Sequence, residues 1–238
     1  MEDKNISQHM NKWEFDAKVT KVFDEMLERS VPSYNRMREL ITQIIIFHIK
    51  KNNLTHNTIL DLGCSTGEQI QELKNYLHQN YYIGLECSEP MLKEARHRLR
   101  GEYNISIQTS DITKDDFPVT NCGAVLSILT LQFIPIEYRQ KVVKKVYESL
   151  NKHGVFIFVE KIIGDNYDYS ELYEKLYYDM KSINGYSIDE IRDKRLKLEG
   201  VLVPCTNQFN IDLLKQGGFS KVDIFWKDLN FVGYIAMK

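Results

Sequence analysis

Five short apolar runs recur along the middle of the chain, and their spacing limits the possible folds more than any other feature. They are "TILDLGC" (58–64), "YYIGLEC" (81–87), "ISIQTSD" (105–111), "AVLSILTL" (124–131) and "GVFIFVEK" (154–161). Each is β-rich and nearly continuous in apolar character, as strands buried on both faces of a parallel sheet are. Helical stretches separate several of them, over residues 69–78, 89–100 and 136–150. Parallel neighbours need a crossover long enough to hold a helix, so this alternation specifies a doubly wound α/β sheet.

The flanks depart from the alternation. Residues 13–53 contain no glycine and place Phe15, Val19, Val22, Phe23 and Met26 at three- and four-residue spacing, which is a helical period. Pro32 drives Val31 out of helical geometry, which predicts two N-terminal helices meeting at a short corner. Residues 168–199 are again helical and rich in tyrosine, too long for a crossover, and read as an inserted cap. The closing segment 210–238 gives a helix, a Gly-Gly-Phe stop and two strands joined by a turn near Asp228 to Asn230. Strands so closely connected are antiparallel. The sheet is therefore expected to be parallel except for one strand inserted near its end. The expected organisation is one domain over 1–238: N-terminal helices 1–53, a ligand-binding core 54–164, a helical cap 165–204, and a C-terminal helix and strand hairpin 205–238.

Composition excludes several classes of function. A chain of 238 residues, 43% hydrophobic and 27% charged, can bury a core of useful size. Its formal net charge of −2 creates no field to attract a polyanion, so direct nucleic-acid binding is not expected. No apolar run approaches the roughly 20 residues of a membrane helix; Gln43, His48 and Lys50 interrupt the most apolar stretch, Ile41 to Phe47. The polar N-terminus lacks a signal-peptide core. Four cysteines without CxxC spacing read as reduced thiols in a cytoplasmic protein. No His/Cys cluster has metal-ligand spacing, and the histidines are scattered.

The turn "ILDLGCSTGE" (59–68) follows a strand and opens a helix, the generic cradle for a nucleotide. A dinucleotide fingerprint wants glycine where Ser65 and Glu68 stand. A phosphate-binding P-loop wants Lys-Ser/Thr where Glu68 and Gln69 stand. Glu68 at a helix N-terminus repels phosphate, so the turn suits a ligand without phosphates. S-adenosylmethionine is such a ligand. Glu86, ending the second strand about 20 residues on, can accept from both ribose hydroxyls. Asp111 at the end of the third strand can accept from the adenine amino group, with Ile112 covering the ring. Gly63 and Gly67 shape the turn, and Cys64 and Cys87 read as small lining residues.

Several stretches are distinctive beyond the fold: "FDAKVTKVFDEMLERSVPSY" (15–34), "LDLGCSTG" (60–67), "IGLECSEPML" (83–92), "LTLQFIP" (129–135), "VEK" (159–161), "NGYSIDEIRDKRLKLEGVL" (184–202), "GGF" (217–219) and the closing "LNFVGYIAMK". With these, over nearly its whole length, the chain resembles the carboxy-S-adenosylmethionine synthase family of the class I methyltransferase superfamily. The resemblance implies a Rossmann-like fold, a homodimer, and synthesis of carboxy-S-adenosylmethionine from S-adenosylmethionine and prephenate for later modification of tRNA wobble uridine. It also implies cofactor contacts by Tyr34, by Gly63, Cys64 and Ser65, by Glu86 and Cys87, and by Asp111 and Ile112. Arg195 matches the arginine that the family sets against the cofactor's extra carboxylate, a task suited to its planar fork.

Three departures stand against the family pattern. Glu86-Cys87 replaces aspartate-asparagine, Ile128 stands where a cofactor-touching asparagine is expected, and Lys181-Ser182 replaces a basic pair. On these grounds the residues favour methyl transfer to a small-molecule acceptor, which needs only a nucleophile held in line and water kept out. Carboxy-S-adenosylmethionine synthesis is the alternative, and a non-catalytic cofactor-binding subunit a third. Tyr34 and Arg195 are the candidate catalytic residues, and Tyr186 a candidate substrate-lining residue, under a cap made by the N-terminal helices and the tyrosine-rich insertion. Lys161 reads as a strand end with no role.

Overall fold

The computed structural model describes residues 12–238. Asp16 opens the first helix, α1 (Ala17–Lys21), where its Oδ1 accepts from the amides of Lys18 and Val19 at 2.9 and 2.8 Å. The next two helices are α2 (Phe23–Ser30) and α3 (Tyr34–Lys51), so the N-terminal region holds three helices where the sequence pattern predicted two. The extra break falls at Val22, whose amide turns back to the Val19 carbonyl at 3.1 Å. It brings Phe15 edge-on to Phe23 and to Phe133, with centroids 6.1 and 5.1 Å apart. The predicted corner at Pro32 is present, with Ser33 in the left-handed region at φ +46°.

Strand and helix then alternate: β1 (Thr58–Leu62), α4 (Glu68–Lys74), β2 (Tyr81–Glu86), α5 (Glu89–Arg98), β3 (Ile105–Thr109), β4 (Cys122–Ile128), α6 (Ile136–Ser149) and β5 (Leu150–Ile163). The cap follows as α7 (Tyr167–Ile183) and α8 (Ile188–Leu198). The chain closes with a short β6 (Cys205–Thr206), α9 (Asn207–Gln216), β7 (Lys221–Asp228) and β8 (Phe231–Met237). The main sheet has the order β3-β2-β1-β4-β5-β8-β7. Its first five strands are parallel, and β8 runs antiparallel to both β5 and β7. A reversed strand one place from the edge is the pattern expected from the short hairpin turn.

Strand periodicity divides the core into two layers. Along β5, Val155, Ile157 and Val159 face one cluster with Met37, Ile41, Ile45 and Ile49 of α3. Phe156 and Phe158 face the other, with Val142, Val143 and Val146 of α6 and Leu213 and Leu214 of α9. Each such fully buried side chain contributes roughly 1.5–3 kcal/mol. Covered on both faces, these strands need no polar alternation, which is why they read as continuous apolar runs.

The cap is pinned to α2. Arg29 Nε donates to the Asn184 carbonyl and Asn184 Nδ2 to the Arg29 carbonyl, both at 3.0 Å. Ser187 and Glu190 form a capping box that starts α8. Among the described residues no helix is long and apolar enough to cross a membrane.

Candidate functional site

A cavity of about 620 Å³ opens at the carboxyl ends of β1, β2 and β4, where open α/β sheets receive ligands. Its floor is the turn after β1. The Leu85 carbonyl accepts from both the Gly63 and Cys64 amides, at 2.8 and 3.0 Å, and so draws the turn onto β2. Gly63 has φ +70°, and a Cβ built on it would stand 2.5 Å from Thr130 Cγ2. Gly67 has φ +78° and packs so closely on α5 that a Cβ would stand 2.8 Å from Leu99 Cδ1. The left-handed backbone at both positions favours glycine, and at Gly63 the Thr130 side chain also leaves no room for a Cβ.

Acidic groups crowd this floor. Asp61, next to last in β1, is 3% exposed and lines the cavity. It makes no side-chain hydrogen bond within the described residues, and burial lifts its carboxyl to about 7, with the Glu86 charge adding to the rise and Arg38 opposing it. The Glu86 carboxylate accepts from the Ser65 amide through Oε2 at 3.1 Å, and from the Cys87 and Ser88 amides through Oε1 at 2.8 and 2.9 Å. It thereby ties the glycine turn to the end of β2. Glu68 is ion-paired to Arg38, which also reaches Glu72 at 2.9 Å. Burial raises the Glu68 carboxyl against the pull of Arg38. Burial, with Asp61 and Glu86 nearby, pushes the Cys64 thiol well above the ordinary range, so it stays protonated and is no nucleophile.

The opposite side of the cavity is basic and aromatic. Lys161 of β5 and Lys194 of α8 line it together with Tyr177, Phe231, Trp13 and Phe133. Burial lowers Lys161 to about 8, helped by the charge on Lys181, and lowers Lys194 to about 7, helped by Lys181, Lys161 and Arg29. Lys181 of α7, itself buried, is lowered to about 8 by burial. Sequence reasoning missed these amines and Asp61. The available signal was Glu160-Lys161, a charged pair closing an otherwise apolar strand.

The residues singled out from the sequence divide into three groups. Tyr34, Gly63, Cys64, Ser65, Glu86, Cys87, Asp111, Ile112 and Ile128 all line the cavity. Asp111 is already engaged: Thr113 donates to Oδ1 from its amide and hydroxyl, and Lys114 pairs with Oδ2 at 2.8 Å. Lys114 and Thr113 hold that carboxyl down at about 2. The Tyr34 hydroxyl is buried and its ionisation is pushed upward by that burial. Gly67 stands beneath the cavity as the cap of α4. Tyr186 stands one layer back, its hydroxyl 3.1 Å from Oγ of Ser30, which lines the cavity. Arg195 is exposed on the outer face of α8 and does not line this chain's cavity. Lys194 and Leu198, one helical turn apart, face inward, and the next residue after Lys194 is rotated by roughly 100°. Among the described residues no group of three His, Cys, Asp or Glu could hold a metal.

Strand order, the reversed β8 and a glycine turn opening on this cavity define a Rossmann-like methyltransferase fold. Residues 59–154 match the family model of a methyltransferase domain. An O-methyltransferase family protein from Burkholderia thailandensis superposes on 94% of the chain with a TM-score of 0.66 at 12% identity. Human N-acetylserotonin methyltransferase in complex with SAM superposes on 94% with a TM-score of 0.63 at 15% identity. The chain spans 60% of the first and 56% of the second of those longer proteins, and likeness at such identity is of fold alone. Closer relatives extend over full length. The carboxy-S-adenosyl-L-methionine synthase of Nautilia profundicola is 37% identical over 100% of both chains. That of Staphylococcus epidermidis is 38% identical over 95% of this chain and 97% of its own. The chain belongs to the carboxy-S-adenosyl-L-methionine synthase family. By fold and family it is an S-adenosyl-L-methionine-dependent transferase.

Proposed function

We propose that this chain is a carboxy-S-adenosyl-L-methionine synthase, using carbon dioxide released from prephenate to carboxylate the methyl carbon of S-adenosyl-L-methionine. The observation that carries the reading is Asp61, an enclosed carboxyl without a partner beside the glycine turn, which a cationic ligand completes. Full-length family membership turns cofactor binding into this particular reaction.

The residues fit the cofactor. A carboxylate offers about four lone-pair sites, and backbone amides occupy three on Glu86, one of them on Oε2. Oε2 therefore keeps capacity for a ribose hydroxyl. Ile112 covers the adenine, and Asp111 accepts its amino group once Lys114, which is exposed, swings aside. Asp61 meets the ammonium of the amino-acid end, and Tyr34 packs beside it. When bound, the cofactor supplies a methyl carbon whose sulfonium neighbour acidifies its C–H bonds and also makes the group transferable. The chain's own residues hold that carbon in an apolar enclosure and keep water out. Prephenate that loses carbon dioxide and hydroxide becomes phenylpyruvate, and the departing hydroxide leaves as water with the proton taken from the methyl carbon.

Methyl transfer to a small-molecule acceptor is the second reading. The observation favouring it is Ile128, an apolar lining residue where the family places an amide. We further propose a homodimer in the cytoplasm, with small-molecule substrates and no direct contact with tRNA. Incubation of the purified chain with S-adenosyl-L-methionine and prephenate, followed by mass spectrometry, decides between the readings. Phenylpyruvate and a cofactor product heavier by one carboxyl unit are expected. S-adenosylhomocysteine as the sole cofactor product, once acceptors are supplied, would establish methyl transfer instead.

A further inference from the structure

Three amines from separate elements meet on the cap side of the cavity. Lys161 Nζ lies 4.5 Å from the Tyr177 ring centroid, and Lys181 Nζ lies 5.5 Å from the same ring. Tyr186 links the second pair, with Lys181 Nζ at 5.1 Å and Lys194 Nζ at 5.9 Å. The Arg29 guanidinium lies 4.4 Å over that ring as a fourth cation. None of the three lysines forms an ion pair among the described residues. Among the described residues, the acid whose field reaches Lys161 is Glu174, and its Oε1 accepts from the Tyr178 hydroxyl at 2.6 Å. Lys194 donates to Ser30 Oγ at 3.2 Å, a neutral partner.

Aromatic faces partly offset the loss of hydration of an ammonium group, but they do not neutralise it. Buried charges are ordinarily paired, because an isolated one is costly. The depressed basicity of all three amines is that cost expressed as proton loss. The acids on the opposite floor, Asp61 beside the cofactor's ammonium and Glu86 beside its ribose, form no ion pair with the amines and leave them uncompensated. A ligand bringing negative charge to the cap side would compensate them, with its apolar body against Phe133, Phe231 and Trp13.

We propose that Lys161 and Lys194, with Lys181 behind them, form the subsite for the carboxylate of an apolar, carboxylate-bearing second substrate. The inference rests on the reading of the cavity as a two-substrate site, but not on which group is transferred. A carboxylate could reach the same amines from a carboxylated cofactor, so the test carries both ligands.

The chain, loaded with S-adenosylhomocysteine, is titrated with phenylpyruvate by calorimetry, with Trp13 fluorescence as a second signal. Lys161→Met and Lys194→Met are each expected to raise the Kd for phenylpyruvate about tenfold to a hundredfold. Lys194→Arg should retain most of the affinity, S-adenosylhomocysteine should bind all variants alike, and the exposed control Lys175→Met should match the wild type. Phenylpyruvate binding that ignores both methionine variants, or fails in the wild type, overturns the subsite. So does a loss confined to carboxy-S-adenosyl-L-methionine, which would assign the amines to the cofactor's own carboxylate. Should either variant fold poorly, limiting acetylation of the wild-type chain answers the same question: phenylpyruvate must protect Lys161 and Lys194 several-fold more than Lys175. Failure of S-adenosylhomocysteine to bind at all strikes the proposed function, while phenylpyruvate titration of the unloaded chain still judges the lysines.

Discussion

Asp61 shows how a single residue gives up stability for binding. Its carboxyl is lifted from the ordinary 3.8 to about 7, chiefly by burial. Between about pH 4 and 7 the folded chain keeps this proton and the unfolded chain has lost it. Stability from this group therefore falls as pH rises through that window, and the penalty is complete above pH 7. Asp61→Asn, neutral throughout, is expected to match the wild type near pH 4. At pH 8 it should be more stable in urea unfolding by about 0.5–2 kcal/mol, the scale of stabilisation found when strained functional residues are replaced. The same variant should bind S-adenosylhomocysteine at least tenfold more weakly. Equal stability at pH 8 would mean that the carboxylate is not an unpartnered charge, and the argument for a cationic ligand beside it would fail.

At the scale of elements, α2 is fastened to the glycine turn through one residue. Asp24 accepts from the Thr66 hydroxyl at 2.8 Å and from Arg98 at 2.6 Å, and Arg98 also donates to Thr66 at 3.1 Å. This three-way contact joins α2, the turn and α5, and makes α2 a wall of the cofactor end. Asp24→Ala is expected to cost about 1–3 kcal/mol, since it leaves the partly buried Arg98 without its acidic partner. Amide exchange should speed up across α2, and S-adenosylhomocysteine affinity should fall; exchange unchanged across α2 would deny the latch its role. The sequence did not display this contact, because its three members lie far apart along the chain. The central strands and the turn were legible, because burial on both faces and positive φ each leave a local mark in residue type. The break at Val22 left none: it accompanies the packing of Phe15 on Phe133, a tertiary contact. The lysine cluster was illegible for a like reason, being assembled from β5, α7 and α8. Helical phase hid the difference between Lys194, facing inward, and Arg195 beside it.

Across the whole molecule, Arg195 raises the question of how many chains make one site. The family resemblance sets this arginine against a carboxylate on the cofactor, yet in a single chain it is exposed on the outer face of α8. Both statements hold together if Arg195 serves the cavity of a second copy. The cap has the surface for such a copy: Ile183 and Ile188 are 84% and 80% exposed, and Tyr167 and Tyr169 are 77% and 52% exposed, all on α7 or α8. Tyr169, Leu172, Leu176 and Ile183, all exposed, recur at three-, four- and seven-residue spacing along one face of α7, and an apolar stripe of this kind marks an interaction site more often than free surface. Light scattering on the purified chain is expected to give a dimer, and Ile183→Asp with Ile188→Asp a folded monomer. Arg195→Ala should leave S-adenosylhomocysteine affinity unchanged and weaken carboxy-S-adenosyl-L-methionine at least tenfold. The monomeric variant should show the same loss with its own Arg195 intact, because the arginine it needs stands on the missing partner. A monomeric variant that keeps full affinity for the carboxylated cofactor would return Arg195 to the surface and leave carboxylate binding to the inward-facing amines of the same chain.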